Sequence, residues 1–294
     1  MGRAACLLLS LCIALPALAE RHDASSGLTA AQIVEKNVAA RGGLEAWKKI
    51  QTMVWVGHIE SANAEAPSLP FALEMKRPNK TRFEVRIKEQ TSARMYDGKQ
   101  GWKLRPNQNG YPDLVPYTTE ELNFARDGQG FDGPLMDYQA KGVTITLEGV
   151  DDIEGHKSYR LNVRLPSGSS HHVWVDATTF LDVRSDREAR NAAGTANTVS
   201  VYYDNYQVHD GLKMPFLLES RADNGKSSDK MVIDRILLNP PLEDQLFAAP
   251  RELQPGSGGL PWNRVTGPHA PRPPTQWQRR ASAGTLSATP HAQR

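Results

Sequence analysis

The chain has 294 residues, with 35 lysines and arginines against 33 aspartates and glutamates, so its formal net charge at pH 7 is only +2. A balance this close provides no strongly basic surface, which argues against nucleic acid as a partner. The two cysteines, Cys6 and Cys12, both lie near the N-terminus.

Residues 1–19 have the pattern of a secretory signal peptide. Arg3 supplies a basic start, an apolar run follows that is too short to span a bilayer, and an A-x-A motif ending at Ala19 predicts cleavage before Glu20. A buried core helix and lipid attachment at Cys12 are the alternatives. Cleavage removes both cysteines, so the exported chain is predicted to be periplasmic, without a disulfide, a thiol nucleophile or a cysteine metal ligand.

The first predicted element of the exported chain is a helix. Thr29 and Gln32 have the spacing of a capping box, and the pair Gly42-Gly43 ends the helical pattern. A short second helical piece around Trp47 follows. Both pieces carry apolar residues on one side, so we expect them to lie across a sheet.

The rest of the ordered chain is dominated by strands in which apolar and polar residues alternate. This period of two sends one set of side chains to each face of a sheet. Strong turn signals such as Asp97-Gly98 separate the strands, and the short connections predict antiparallel pairing. We count about eleven strands. The charged residues Arg82, Glu84, Arg86 and Lys88 are predicted to lie on a solvated convex face.

One long interruption runs from Pro106 to Tyr138. Thr118 and Glu121 form a second capping box within it, and a short apolar helical stretch follows. A segment of this length can act as a lid over a binding site or can simply plug the core, and the sequence leaves both alternatives open.

These elements predict a mainly β fold: one curved antiparallel sheet that forms an incomplete β-barrel, with short helices plugging its concave side. Two short helical segments are too few to cover such a sheet, so an apolar cavity is predicted to remain. Packing as ordinary core is the alternative, which we favour slightly for the tryptophans. The candidate lining residues are Trp55, Phe71, Leu73, Met75, Phe83, Val85, Ile87, Met95, Trp102, Leu135, Met136, Val143 and Ile145.

The composition divides the exported chain into two parts. Residues 28–250 are predicted to form a single domain. Residues 251–294 are rich in proline, glycine and arginine without a hydrophobic period, so they are predicted to be a disordered basic tail. The tail is either inert or a basic arm for a membrane surface or a partner.

Motifs for catalysis or metal binding are not found. The sequence has no G-x-S-x-G elbow, P-loop or H-E-x-x-H helix. His171 and His172 are adjacent, so on a strand they point to opposite faces and do not readily chelate one metal ion. We therefore predict no enzymatic activity, no catalytic residues, no metal site and no cofactor.

Four short stretches, two of them in pairs, have a recognisable pattern: Ile33–Lys36 with Gly42–Trp47, Met95–Trp102, Tyr203–Tyr206 with Gly211–Pro215, and Pro241–Phe247. Together they resemble the LolA/LolB-like outer-membrane lipoprotein-sorting proteins. The resemblance implies an incomplete antiparallel barrel, helices on its open side, and carriage of an acylated or otherwise apolar cargo through the periplasm.

The leading interpretation is a periplasmic carrier or binding protein for a lipid or a lipoprotein acyl chain, with an acylated cargo as its partner. An alternative is an envelope sensor that detects lipid and makes transient contact with a membrane or a membrane protein through residues 251–294. That alternative predicts that deletion of the tail abolishes partner capture and leaves ligand binding intact. A hydrolase is a third possibility, for which the sequence offers no nucleophile or metal constellation.

Overall fold

A computed structural model describes residues 27–61, 68–87, 90–106, 112–128, 130–190, 196–222 and 228–250. The predicted signal peptide and tail lie outside these ranges. The elements are α1 (Ala30–Ala40), α2 (Leu44–Lys48), β1 (Thr52–Ser61), β2 (Leu69–Lys76), β3 (Lys80–Ile87), β4 (Gln90–Tyr96), β5 (Gly101–Pro106), β6 (Pro112–Pro116), α3 (Thr119–Asp127), β7 (Thr144–Ile153), β8 (His156–Arg164), β9 (Ser170–Asp176), β10 (Asp182–Arg190), β11 (Ala196–His209), β12 (Leu212–Ala222), β13 (Ser228–Leu238) and a 3-10 turn (Asp244–Phe247).

All thirteen strands belong to one antiparallel sheet in the order β6-β5-β4-β3-β2-β1-β13-β12-β11-β10-β9-β8-β7. The first and last strands in chain order, β1 and β13, pair in the middle of the sheet. The edges are β6 and β7, which do not pair with each other, so the sheet is not closed into a barrel. The predicted mainly β fold with one open antiparallel sheet is confirmed.

The described part of the chain has thirteen strands where the sequence predicts about eleven. One strand without a clear signal is β6, which lies inside the predicted interruption and has proline at both ends, Pro112 and Pro116. Proline lacks a backbone N–H and is typical of edge strands, where half of the hydrogen-bonding groups face away from the sheet. The interruption therefore contains an edge strand as well as a helix.

Helices α1 and α2 pack on one face of the sheet, which we call the inner face. The predicted capping box begins α1: Thr29 Oγ1 accepts a hydrogen bond from the Gln32 N–H at 3.3 Å, and Gln32 Oε1 accepts one from the Thr29 N–H at 2.8 Å. Gly42 ends the helix with φ +109° and lies so close to the Gly211 carbonyl that a side chain would overlap it. The helical start and stop signals of the sequence are thus confirmed.

Two apolar clusters form between the helices and the inner face. The first contains Trp47 of α2 with buried residues of β1, β2, β12 and β13. The second contains Ile33 and Val34 of α1 with buried residues of β8 and β9. Val38 of α1 packs against both clusters, so the two helices bridge the two halves of the sheet.

The opposite, outer face differs from the prediction at two of its charged residues. Arg82 and Glu84 are buried, with only 3% and 2% of their surfaces exposed, although the sequence places them on a solvated face. The chain covers them with residues 240–250, which return across β3: Phe247 is fully buried, and the Leu246 carbonyl accepts a hydrogen bond from Arg82 at 3.2 Å. A contact between β3 and a segment so distant in sequence cannot be read from local alternation.

Candidate functional site

Strand register places seven of the predicted lining residues on the inner face. Trp55 of β1 lies opposite Leu73 of β2, and Leu73 lies opposite Phe83 of β3. Alternation along the same strands puts Phe71, Met75, Val85 and Ile87 on this face too. The rings of Phe71 and Phe83 are 5.9 Å apart. All except Ile87 belong to the first apolar cluster or pack against it.

The helices cover this face unevenly. Met53, Phe71 and Met75 are buried, whereas neighbouring apolar residues stay half-buried, and Ile87 at the end of β3 is 36% exposed. We call seven of the half-buried apolar residues on this face, without the exposed Ile87, the open patch. They are Trp55, Ile59, Leu73, Phe83, Val85, Leu218 and Met231, from the five adjacent strands β3, β2, β1, β13 and β12.

Four other predicted lining residues pack elsewhere beneath the helices. Leu135 and Val143 are buried in the second cluster, and Ile145 packs against that cluster. Met136 is fully buried in the first cluster. Residues 131–143 therefore bring apolar side chains into the core, which favours the plug alternative for this part of the interruption.

Met95 and Trp102 do not join the inner-face residues. Arg94 lies opposite Phe83, so the neighbouring Met95 points to the outer face, where it pairs with Trp102. The two residues form a small third cluster with Ala93, Leu104 and Leu114. Alternation within β4 shows that Ala93 and Met95 share a face, but only the register with β3 shows which face it is.

Helix α3 connects two distant parts of the sheet through polar contacts. Near its start, Glu121 pairs with Arg94 of β4 and Lys103 of β5. At its end, Asp127 accepts a hydrogen bond from Ser169, in the turn between β8 and β9, at 2.8 Å. No residue of α3 is buried. Ion pairs and hydrogen bonds thus contribute to holding a helix that has no fully buried side chain.

Glu121 is the centre of the first of these contacts. Its carboxylate accepts hydrogen bonds from Lys103 Nζ at 2.7 Å, from Arg94 Nη2 at 2.9 Å and from the backbone N–H of Thr118 at 2.9 Å. Burial by itself raises the pKa of Glu121, but these donors outweigh it and lower the pKa to about 2. The sequence predicts the capping box but not its cationic partners, because these lie on separate strands, β4 and β5.

A second group of polar contacts, centred on Asp132, holds residues 131–143 against the rest of the chain. Asp132 is 3% exposed and pairs with Arg77 and Lys141, each at 2.7 Å. Its backbone carbonyl also accepts a hydrogen bond from Arg41, at the end of α1, at 3.0 Å. Burial lowers the pKa of Lys141, and the Asp132 carboxylate opposes that shift. Asp132 therefore ties three separated segments together, and no local pattern in the sequence predicts this role.

The structure gives no metal-binding arrangement to the described residues: no three His, Cys, Asp or Glu side chains within them are grouped so that they could hold an ion. His172 lies on the outer face, 3.0 Å from Glu148 and beside Trp174, and His171 alternates to the inner face. Across the described ranges, no helix has both the length and the apolar character needed to cross a membrane.

No family model and no curated protein matches this chain. Among solved structures, a DUF1329 family protein from Desulfovibrio piger is similar with a TM-score of 0.50 at 12% identity, over 74% of this chain and 95% of that one. A LolA superfamily protein from Nitrosomonas europaea has a TM-score of 0.48 at 15% identity, over 76% and 99%. A protein described as an outer membrane lipoprotein-sorting domain from Vibrio parahaemolyticus has a TM-score of 0.45 at 11% identity, over 74% and 95%.

The structural neighbours thus include proteins named for the superfamily that the sequence resembles. At identities this low, the likeness concerns the fold alone, as for the Desulfovibrio piger protein, whose TM-score is 0.50. Function has to be argued from the site itself.

Proposed function

We propose that this chain is a non-enzymatic periplasmic carrier that holds a lipid, or the acyl chain of a lipoprotein, on the inner face of its sheet. The observation that carries the proposal is the open patch, in which apolar side chains on five adjacent strands remain half-buried next to a fully covered core. Contiguous apolar surface that a protein leaves uncovered usually marks an interaction site. A bound ligand would cover the open patch and so fill the place of the predicted cavity.

The dimensions of the open patch suit an acyl chain. Neighbouring strands lie about 4.8 Å apart, so the five strands from β3 to β12 span roughly 19 Å. Each methylene removed from water contributes about 0.8 kcal/mol. A chain laid across these strands gains enough from apolar burial to offset the loss of its own freedom on binding.

Helix α3 is the element whose movement would admit and release the ligand. None of its residues is buried, and its contacts with the sheet include the polar contacts of Glu121 and Asp127, so its displacement uncovers no buried α3 side chain. Residues 131–143, which carry the buried Leu135 and Met136, would stay in place. The sensor alternative depends on residues 251–294, outside the described ranges, and remains a prediction.

Native mass spectrometry tests the proposal directly. The exported chain, purified gently from the periplasm, is weighed intact and its bound molecules are extracted and identified. A stoichiometric lipid, fatty acid or acylated peptide supports the carrier function and identifies the cargo. A ligand-free mass that does not change when lipids are added contradicts it.

Substitution within the open patch should weaken binding. Leu73→Gln places an amide among apolar groups, and burying a polar group without a partner costs roughly 1–3 kcal/mol, so we expect about 5- to 100-fold weaker binding of a fluorescent fatty-acid probe. Val208→Gln on β11 is the matched control, because Val208 is 69% exposed away from the patch, and it should bind normally. Equal affinities for both variants would count against the patch as the binding site.

A further inference from the structure

The open patch ends at a pair of cations. Arg94 lies directly opposite Phe83 in the strand register, and Lys103 lies directly opposite Arg94, so these three residues share the inner face. Directly opposed residues on one face of an antiparallel pair have Cβ atoms about 5 Å apart. A ligand lying on Phe83 therefore has two basic side chains next to its end.

A carboxylate already occupies this position. Glu121 of α3 is bound there by Arg94, Lys103 and the Thr118 N–H, at 2.7 to 2.9 Å. The Arg94 side chain is 47% exposed and lies over the Tyr117 ring, 5.1 Å from its centroid. The donors are thus arranged to bind a carboxylate, and one of them is open to solvent.

Among the described residues, Arg94 and Lys103 share a single carboxylate in their ion pairs, that of Glu121. A ligand carboxylate can take the place of Glu121 on both cations, whereas an acyl chain in ester or amide linkage brings no charge to the same position. Charge-assisted hydrogen bonds of this kind are stronger than those between neutral groups.

We propose that the cargo is an unesterified long-chain fatty acid, whose carboxylate binds Arg94 and Lys103 in place of Glu121 while its chain lies across the open patch. This inference rests on the proposed function and names the ligand class of the same site. Replacement of Glu121 by the ligand frees the start of α3, so binding of the headgroup and displacement of the helix are coupled.

The test compares dansyl-labelled undecanoic acid with its methyl ester, which differ only in the charged group. The measured quantity is the ratio of the ester Kd to the acid Kd for the exported chain and two variants. Arg94→Gln removes the exposed cation. Glu121→Gln removes the competing charge but keeps a capping box, since glutamine serves at that position as well as glutamate.

We expect the acid to bind the unmodified chain about three-fold more tightly than the ester, since each added charged hydrogen bond is partly offset by loss of the Glu121 contact. Glu121→Gln should raise the ratio to about ten-fold, and Arg94→Gln should bring it close to one. A gain in acid affinity on Glu121→Gln cannot arise from misfolding.

Two results would overturn the inference. Equal binding of acid and ester to the unmodified chain and to Glu121→Gln refutes the fatty-acid assignment and leaves the carrier function standing. Absence of binding for both probes in every form of the chain refutes the carrier function together with the inference.

Discussion

Asp132→Asn should lower the free energy of unfolding by about 3–5 kcal/mol, because removing one partner of a buried ion pair leaves its counter-charges uncompensated. The substitution keeps the shape of the side chain but withdraws the negative charge that Arg77 and Lys141 share at 2.7 Å. Burial already lowers the pKa of Lys141, so its ammonium depends on this carboxylate. Urea denaturation monitored by tryptophan fluorescence measures the loss.

Asp137→Asn is the matched control in the same segment. Asp137 pairs with Lys48 at 3.5 Å, and both side chains are substantially exposed, so we expect a loss below about 1 kcal/mol. Asparagine also tolerates the positive φ of 53° at this position. Similar losses in the two variants would show that Asp132 is not an anchor and that residues 131–143 are held by Leu135 and Met136 alone.

Glu74→Gln should stabilise the protein in alkaline solution by about 2–4 kcal/mol, since each unit of pKa shift corresponds to about 1.4 kcal/mol. Burial raises the pKa of Glu74 from 4.5 to about 8; the nearby Glu84 charge adds to the shift and Arg82 opposes it. Glu74 Oε2 has no hydrogen-bond partner among the described residues. The neutral amide avoids the burial of this charge.

The direction in which stability changes with pH follows from proton binding to Glu74. Between pH 4.5 and about pH 8 the folded state holds a proton on Glu74 that the unfolded state releases, so the stability of the unmodified protein falls as the pH rises through this interval. Below pH 4.5 both states are protonated and the variant should match the unmodified chain. Denaturation at pH 5, 7 and 9 measures the difference.

Glu45→Gln on α2 is the control for a change of charge alone, because the Glu45 side chain is 84% exposed. We expect its stability to differ from that of the unmodified chain by a similar small amount at each pH. If Glu74→Gln behaves in the same way, the carboxyl group of Glu74 is not held protonated by its surroundings, and the outer face beneath residues 240–250 tolerates the charge.

Local features of this chain were predicted well from the sequence. The capping boxes at Thr29 and Thr118 form as expected, because both partners lie three residues apart. The Asp97-Gly98 turn also forms between β4 and β5, with Gly98 at φ +97°, because its geometry depends on the turn residues themselves. Alternation correctly grouped Phe71, Leu73 and Met75, since neighbours two apart on a strand always share a face.

What the sequence by itself determined, therefore, is the antiparallel architecture, the starts of α1 and α3 and the sets of residues that share a face, whereas the apolar stretch at residues 131–142, predicted as helical, forms turns. Only the tertiary structure decided which face each set occupies and what covers it. Met95 faces outward because Arg94, not Met95, is opposite Phe83, and Arg82 is buried because residues 240–250 return over β3. The carboxylate site at Arg94 and Lys103 depends on the same kind of information, since Glu121 reaches it from a separate helix. Period-two alternation shows which residues share a face of the sheet but not which of the two faces they occupy. Contacts between distant segments are set by the packing of the whole chain.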